Sequence, residues 1–269
     1  MGKLYIGTSG FQYGDWVGEF YPETVKPEVM LSLYEKEKGL NAVELNFTYY
    51  TLPSIRTTVG MVKKTSENFR FTVRSHREMT HEIWEDQARR SFKDTAPVFR
   101  AFREGIAPLV ESGRLGCILL QFPIFFWPKP ESFDYLTRSR ELLKEIPTVV
   151  EFRNRAWLRE ETFDFLKTHR LGYCIVDEPK LPRLLPYEPR AMNEIAYFRF
   201  HGRNPHWFIA DKHERYNYLY SPEELETFLP DIEAMVREQD TYVFFNNCYG
   251  AKAARNALEL KQLLKDCVV

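Results

Sequence analysis

Four pairs of polar residues stand two positions apart within otherwise apolar stretches: Glu44/Asn46, Thr72/Arg74, Glu151/Arg153 and Arg199/His201. In extended backbone that spacing puts both side chains of a pair on one face. The opposite face carries Val43 and Leu45, Phe71 and Val73, Val150 and Phe152, Phe198 and Phe200. Further apolar runs end in Thr8 and Ser9, in Gln121, in Asp177 and Glu178, and in Asn246 and Asn247. Burying an unpaired charge costs of the order of several kcal/mol, so these groups must meet one another, water or a ligand.

Three kinds of chemistry suit this set. Guanidinium forks at Arg74, Arg153, Arg199 and Arg203 would hold phosphate or carboxylate by paired, charge-assisted hydrogen bonds. The alternative is a closed ion-pair network of the same arginines with Glu44, Glu151, Asp177 and Glu178. Acid–base work would fall to Glu151, Asp177 and His201, because a histidine titrates near neutrality and a neighbouring carboxylate sets its tautomer. Binding would add Glu44, Asn46, Gln121, Asn246 and Asn247 to the arginines. A divalent metal on Glu44, Glu151, Asp177 and His201 is the third possibility. His201 is alone among histidines at a strand end; His76, His81, His206 and His213 read as loop residues and His169 as a helix end. No metal site is assigned and no bound cofactor is expected.

What must position these residues is a regular alternation of strands and helices. Strands are expected at 4–8, 42–46, 69–74, 115–121, 148–152, 172–177, 196–201 and 241–246. Amphipathic stretches separate most of them, among them "PEVMLSLYEKEKG", "SIRTTVGMVKKT", "ESFDYLTRSRELLKE" and "SPEELETFLPDIEAMVREQ". In the last, Ser221, Pro222 and Glu224 form a helix-start signature. Pro97 and Pro108 are expected to start or kink the third helix. Eight strands with about seven helices predict a single-domain (β/α)8 barrel of the TIM type, whose usual size is about 250 residues. The sixth unit, "EPKLPRLLPYEP", is too proline-rich for a helix and reads as an ordered loop. An open doubly wound sheet is the rival, but no GxGxxG or P-loop motif supports it. A barrel collects all eight C-terminal strand ends into one mouth, where active sites of this fold sit.

Loops following the strands are rich in aromatics: "GFQYGDW", "FTYYTLP", "FPIFFWP" and "NPHWFIADKHERYNYLY". Such loops stack nucleobases or sugar faces, or bury their own rings as satellite cores. "NNCYG" opens the last helix and offers backbone N–H groups to an anion. Cys248 beside it is placed for a lowered pKa.

Composition limits the alternatives. The chain has 269 residues with 37 basic and 38 acidic side chains, which argues against a broad nucleic-acid surface. No apolar run reaches membrane-span length, and "MGKLYIGTSG" enters a strand without a signal-peptide layout. Cys117, Cys174, Cys248 and Cys267 lie far apart and form no CxxC pair. Free thiols in a reducing cytoplasm are expected.

In order along the chain, "IGTSGFQYGDW", "VELNFTYYTLP", "FTVR", "LLQFP", "VEFRNRAW", "YFRFHGR" and "FFNNCYGAKAARNAL" strongly resemble the domain of unknown function 72 (YecE-like) family. The resemblance covers essentially the whole chain and implies a TIM-type barrel of unestablished biochemical role. Glu44, Asn46, Gln121, Glu151, Arg153, Arg199, His201, Arg203, Asn246 and Asn247 match the family pattern. Phe11, Phe47, Thr51 and Arg74 depart from it, the family more often having tryptophan, serine, arginine and lysine there. Arg74 keeps the cation but cannot form the imine a lysine forms. The leading expectation is an acid–base enzyme that binds a polar anionic small molecule in the mouth. Alternatives are a nucleic-acid or nucleotide phosphodiesterase resembling barrel-type abasic-site endonucleases, and a non-catalytic ligand-binding module. The sequence sets no oligomeric state.

Overall fold

The computed structural model describes residues 2–89, 91–192, 195–211 and 214–265. His213 and Cys267, noted in the sequence, lie outside the described residues. Eight parallel strands close into a barrel in chain order: β1 (Leu4–Ser9), β2 (Ala42–Leu45), β3 (Arg70–Arg74), β4 (Leu115–Gln121), β5 (Thr148–Glu151), β6 (Gly172–Asp177), β7 (Ile195–Phe200) and β8 (Asp240–Phe245). β8 pairs back onto β1 with Gly7 opposite Phe244. This is the single-domain TIM-type fold that the alternating pattern predicts.

The helices are α1 (Pro27–Lys36), α2 (Ile55–Lys64), α3 (Ala96–Glu111), α4 (Pro130–Leu143), α5 (Glu160–Thr168), α6 (Pro222–Glu226), α7 (Leu229–Glu238) and α8 (Lys252–Leu263). Among the described residues no helix lies between β6 and β7, where the proline-rich loop was expected. Proline occupies the first turn of α1, α3, α4, α6 and α7, where its missing N–H has no intrahelical partner to lose. Pro97 lies in the first turn of α3, and Pro108 inside it, close to the C-terminal turn. One expectation needs correction. The stretch 221–239 is two helices, because Pro230 begins a new one as α7.

α6 starts as its sequence signature requires. Ser221 Oγ accepts the Glu224 N–H, and the Glu224 carboxylate accepts the Ser221 N–H. Loss of that cap in Ser221→Ala is expected to lower stability by about 1 kcal/mol in urea unfolding. A loss below about 0.3 kcal/mol would show that the helix is held by packing alone.

Strand alternation sorts the side chains as expected. Val43, Leu45, Phe71, Val73, Val150, Phe152, Phe198 and Phe200 are buried in the core. Inside the barrel the layers change character from bottom to top. The lowest layer is aromatic, with Tyr5 and Tyr242 stacked at 4.7 Å. Tyr242 fits there because Gly116 leaves room; a Cβ at position 116 would meet its hydroxyl at 2.6 Å. The next layer is polar: Tyr197 joins Thr72, at 2.9 Å, to Glu44, at 2.7 Å. The layers above it, at the C-terminal strand ends, form the candidate site. No helix among the described residues is long and apolar enough to cross a membrane.

Candidate functional site

The floor of the mouth is a closed ion-pair layer. Arg199, on β7, spans the barrel between Glu151 on β5 and Glu44 on β2. Its Nη1 lies 2.5 Å from Glu151 and its Nη2 2.7 Å from Glu44. It is 1% exposed, and both carboxylates are fully buried. Burial would raise the Glu151 pKa, but Arg153, Arg199 and His201 outweigh it and hold it well below the usual carboxylate range. Burial opposes the charge on Arg199 as well; Glu151 and Glu44 reverse that and raise its pKa. This part of the expected arginine set is committed to protein carboxylates.

One layer higher, Arg153 joins Glu151 to a third carboxylate, Glu178. Its Nε is 2.5 Å from Glu151 and its Nη1 2.9 Å from Glu178. Its Nη2 lies 3.1 Å from His201 Nε2. His201 Nδ1 is 2.9 Å from the Asn246 amide. Both ring nitrogens thus face N–H donors, Nε2 the Arg153 guanidinium and Nδ1 the Asn246 Nδ2 amide, an arrangement that opposes a second proton on the ring. His201 is fully buried. Burial, then the Arg153 charge, pushes its pKa down to about 3. The expectation of an imidazole titrating near neutrality is therefore corrected: this ring stays neutral across the physiological range.

Glu178 behaves in the opposite way. Burial pushes its carboxyl up to about 7, against the pull of Arg153 and the Leu185 N–H. The folded pKa lies above the unfolded value, so the folded chain holds the extra proton between them. Stability from this group is present below about pH 4 and lost as pH rises through 7. Glu178→Gln should therefore gain stability relative to the parent, by more than about 1 kcal/mol, as pH rises from about 5 to about 8. Parallel unfolding profiles for the two proteins would contradict this.

Asp177 and Asn247 are elsewhere. Alternation along β6 points Cys174 at Glu151 inside the barrel and turns Asp177 outward. There Asp177 accepts two bonds from Arg203 and one from Tyr220. Arg203 continues to Glu224 at 2.9 Å. This network clips the loop after β7 to α6. Asn247 donates to Asn256 on α8 and to the Tyr218 carbonyl. The three expected acid–base groups thus form no single set: Glu151 and His201 adjoin, at 3.4 Å, and Asp177 does not join them. Nor do Glu44, Glu151, Asp177 and His201 converge as metal ligands. No group of three or more His, Cys, Asp or Glu among the described residues has that arrangement.

Above the floor opens a cup of about 1260 Å³. Of the expected residues, Asn46, Arg74, Gln121, Arg153 and Asn246 line it. Arg74 differs from the other three expected arginines. Its guanidinium stacks on Tyr49 at 4.1 Å, and no ion pair reaches it among the described residues. Its Nε is buried without a hydrogen-bond partner, as is Asn46 Oδ1. Burial, then repulsion from Arg199, lowers its pKa, yet an arginine remains a cation. An uncompensated guanidinium with free in-plane donors is an anion-binding group.

The aromatic loops singled out in the sequence reach the cup, through Tyr49 and Tyr50 after β2 and through Trp207, Phe208 and Tyr216 after β7. Arg215, from the same connection after β7, lines it too and was not among the expected site residues. The Arg215 guanidinium lies over Trp207 at 5.6 Å, and its Nε too is buried and unpartnered. The available signal was the interleaving of Arg with aromatics in "HERYNYLY". His81, read as a loop residue, packs edge-on against Tyr49 at 5.0 Å. Burial and the charges of Arg74 and Arg153 bring its pKa to about 3. Two further expectations change. The Gly250 N–H is not open to a ligand, because Asp15 accepts it at 2.7 Å. Cys248 lines the cup, but burial pushes its thiol up to about 12.

A family model described as protein of unknown function DUF72 matches residues 5–268. The chain belongs to the DUF72 family. A DUF72 family protein of Thermotoga maritima is 46% identical, with a TM-score of 0.90 over 98% of this chain and 99% of that one. A DUF72 family protein of Enterococcus faecalis is 28% identical, with a TM-score of 0.84 over 97% and 95%. The UPF0759 protein YunF of Bacillus subtilis is 31% identical over 97% of this chain and 94% of its own. For a DUF72 chain, membership gives the fold and leaves the ligand to the geometry of the cup.

Proposed function

We propose that the cup binds a polar anionic small molecule, phosphate- or carboxylate-bearing, with Arg74 as its principal anion-holding group. The observation that carries this reading is a cup-lining guanidinium with no carboxylate partner among the described residues, above a floor whose arginines all have one. Asn46, Gln121 and Asn246 supply neutral polar contacts, and Tyr49 fixes the plane of the Arg74 fork. The unpaired Cys117, Cys174 and Cys248 support a cytoplasmic setting.

One observation favours an enzyme over a passive binder. Glu178, the group with a pKa near 7, is bonded to Arg153, and Arg153 lines the cup. A buried carboxyl raised into the neutral range beside a ligand cup is the environment of a candidate acid–base group. On this reading Glu151 and His201 are positioning residues that hold Arg153 and Asn246, and Asp177 holds the mouth loop.

A thermal-shift screen tests the proposal. Its panel is sugar phosphates, nucleotides, carboxylates and short single-stranded DNA, each with and without Mg²⁺, Mn²⁺ and Zn²⁺. A ligand at a hundred times its Kd should add about 2.7 kcal/mol. The expected result is a shift with one anion class that Arg74→Met removes. No shift with any anion, or an equal shift in Arg74→Met, would overturn the proposal. A shift confined to DNA with metal would favour the phosphodiesterase alternative.

A further inference from the structure

Among the described residues, two guanidinium groups in the cup have no carboxylate partner, and they come from opposite sides of the mouth. Arg74 ends β3, and Arg215 lies in the connection after β7, four strands away in a ring of eight. Each lies over an aromatic face, Arg74 over Tyr49 and Arg215 over Trp207. Stacking occupies the flat face of a guanidinium and leaves its in-plane N–H donors free. Each has a buried Nε without a partner. The third arginine of the lining, Arg153, is already neutralised by Glu151 and Glu178. The carboxylate of the lining, Asp15, is turned to the Gly250 N–H. Among the described residues, two guanidinium groups of the lining are therefore without a carboxylate partner, while Asp15 keeps its own negative charge. At about 1260 Å³ the cup exceeds the usual pocket for one small ligand, of roughly 300–1,000 Å³.

We propose that the ligand carries two separated anionic groups, one held by the Arg74 fork at the floor and one by the Arg215 fork on the mouth loop. The inference rests on the anion-binding reading above and narrows it to a class: bisphosphates, dicarboxylates or phosphorylated carboxylates. Arg74 belongs to a barrel strand and is fixed before the ligand arrives, so a single anion goes to it first. Arg215 sits on a loop and adds the second contact. A molecule with one anionic group leaves the Arg215 donors unused.

The test measures binding of alkane bisphosphonates against alkyl monophosphonates of the same chain length, by calorimetry on the full chain. A parallel arm compares α,ω-dicarboxylates with monocarboxylates and separates phosphate from carboxylate preference. The bifunctional compound of best-fitting length should bind about tenfold or more tightly than its monofunctional match. Arg215→Met should bring the bifunctional affinity down to the monofunctional level and leave monofunctional binding unchanged within about twofold. Arg215→Lys, which keeps the charge but not the fork, should recover part of the loss. Equal affinity of the two classes, or an equal loss for both in Arg215→Met, would overturn the two-group ligand and leave a single shared anion. Failure of the parent to bind either class, or Arg74→Met binding both as the parent does, would overturn the anion-binding reading itself.

Discussion

Arg199→Leu should destabilise the protein by about 3–5 kcal/mol in urea unfolding, the largest effect of any single substitution in the mouth. The cause is what it leaves behind. Glu44 and Glu151 are fully buried, and Arg199 bonds to both. Without it, Glu44 keeps only the Tyr197 hydroxyl as a contact within its layer, and Glu151 keeps Arg153 and His201. In the parent, the depressed Glu151 pKa means that its contribution to stability is present above the unfolded pKa and lost as pH falls. In the variant Glu151 loses one of the cations that hold its pKa down, and Glu44 is left as a buried carboxylate without its cation. The gap between variant and parent should therefore be wider near about pH 7, where the depressed Glu151 pKa contributes in full, than near about pH 3. A loss under about 1 kcal/mol, or a gap independent of pH, would show that the floor is not the closed ion-pair layer described here.

Arg74→Met should act in the opposite way, costing ligand and not fold. Arg74 is desolvated, repelled by Arg199 and bonded to no carboxylate, so its charge is a burden on the unliganded protein. Methionine keeps much of the contact with Tyr49 and removes that burden. Stability should be equal to or above that of the parent, a pattern that functional residues show when their chemistry conflicts with folding. Affinity for the anionic ligand should fall about 10- to 100-fold, the worth of one charge-assisted bidentate contact. Arg74→Lys should recover only part of it, because an ammonium group cannot present the fork. Titration of the best compound from the thermal-shift screen into the three proteins measures this. Lost stability with unchanged affinity would make Arg74 a structural residue.

The barrel was legible because its strands turn an apolar face to the helices and polar residues to the interior near their C-terminal ends, which imposes an alternation. The predicted strand at 172–177 and the one at 115–121 have the observed bounds. The others shift by a residue or so at their ends, where hydrogen bonding, not side-chain type, sets the limit. The same alternation held information on the site. On β6, Cys174, Val176 and Glu178 share one parity and Asp177 the other, so Glu178 and not Asp177 belongs with Glu151. On β8 the parity of Tyr242 and Phe244 assigns Asn246 to the cup and Asn247 to α8. Grouping all polar strand-end residues together blurred that distinction.

What alternation cannot give is reach across the barrel. Arg199 belongs to Glu44 and Glu151 because β2 and β5 face β7 through the interior, and no spacing in the chain expresses that. Only such contacts separate the arginines that the protein's own carboxylates neutralise from Arg74, which pairs with none among the described residues. Arg215, Trp207 and His81 reach their places through loops, whose paths follow from tertiary packing and leave little periodic trace.

The central claim is that Arg74 holds an anion above a self-neutralised floor. A crystal structure of the full chain soaked in tungstate, with the anion placed by its anomalous signal, tests it most directly. The account predicts a peak within hydrogen-bonding reach of the Arg74 guanidinium, about 3–4 Å from its nitrogens to the metal-oxyanion envelope, with the Arg199 pairs intact. A cup without a peak at saturating tungstate, or a peak on Arg199 with its carboxylates displaced, would contradict it.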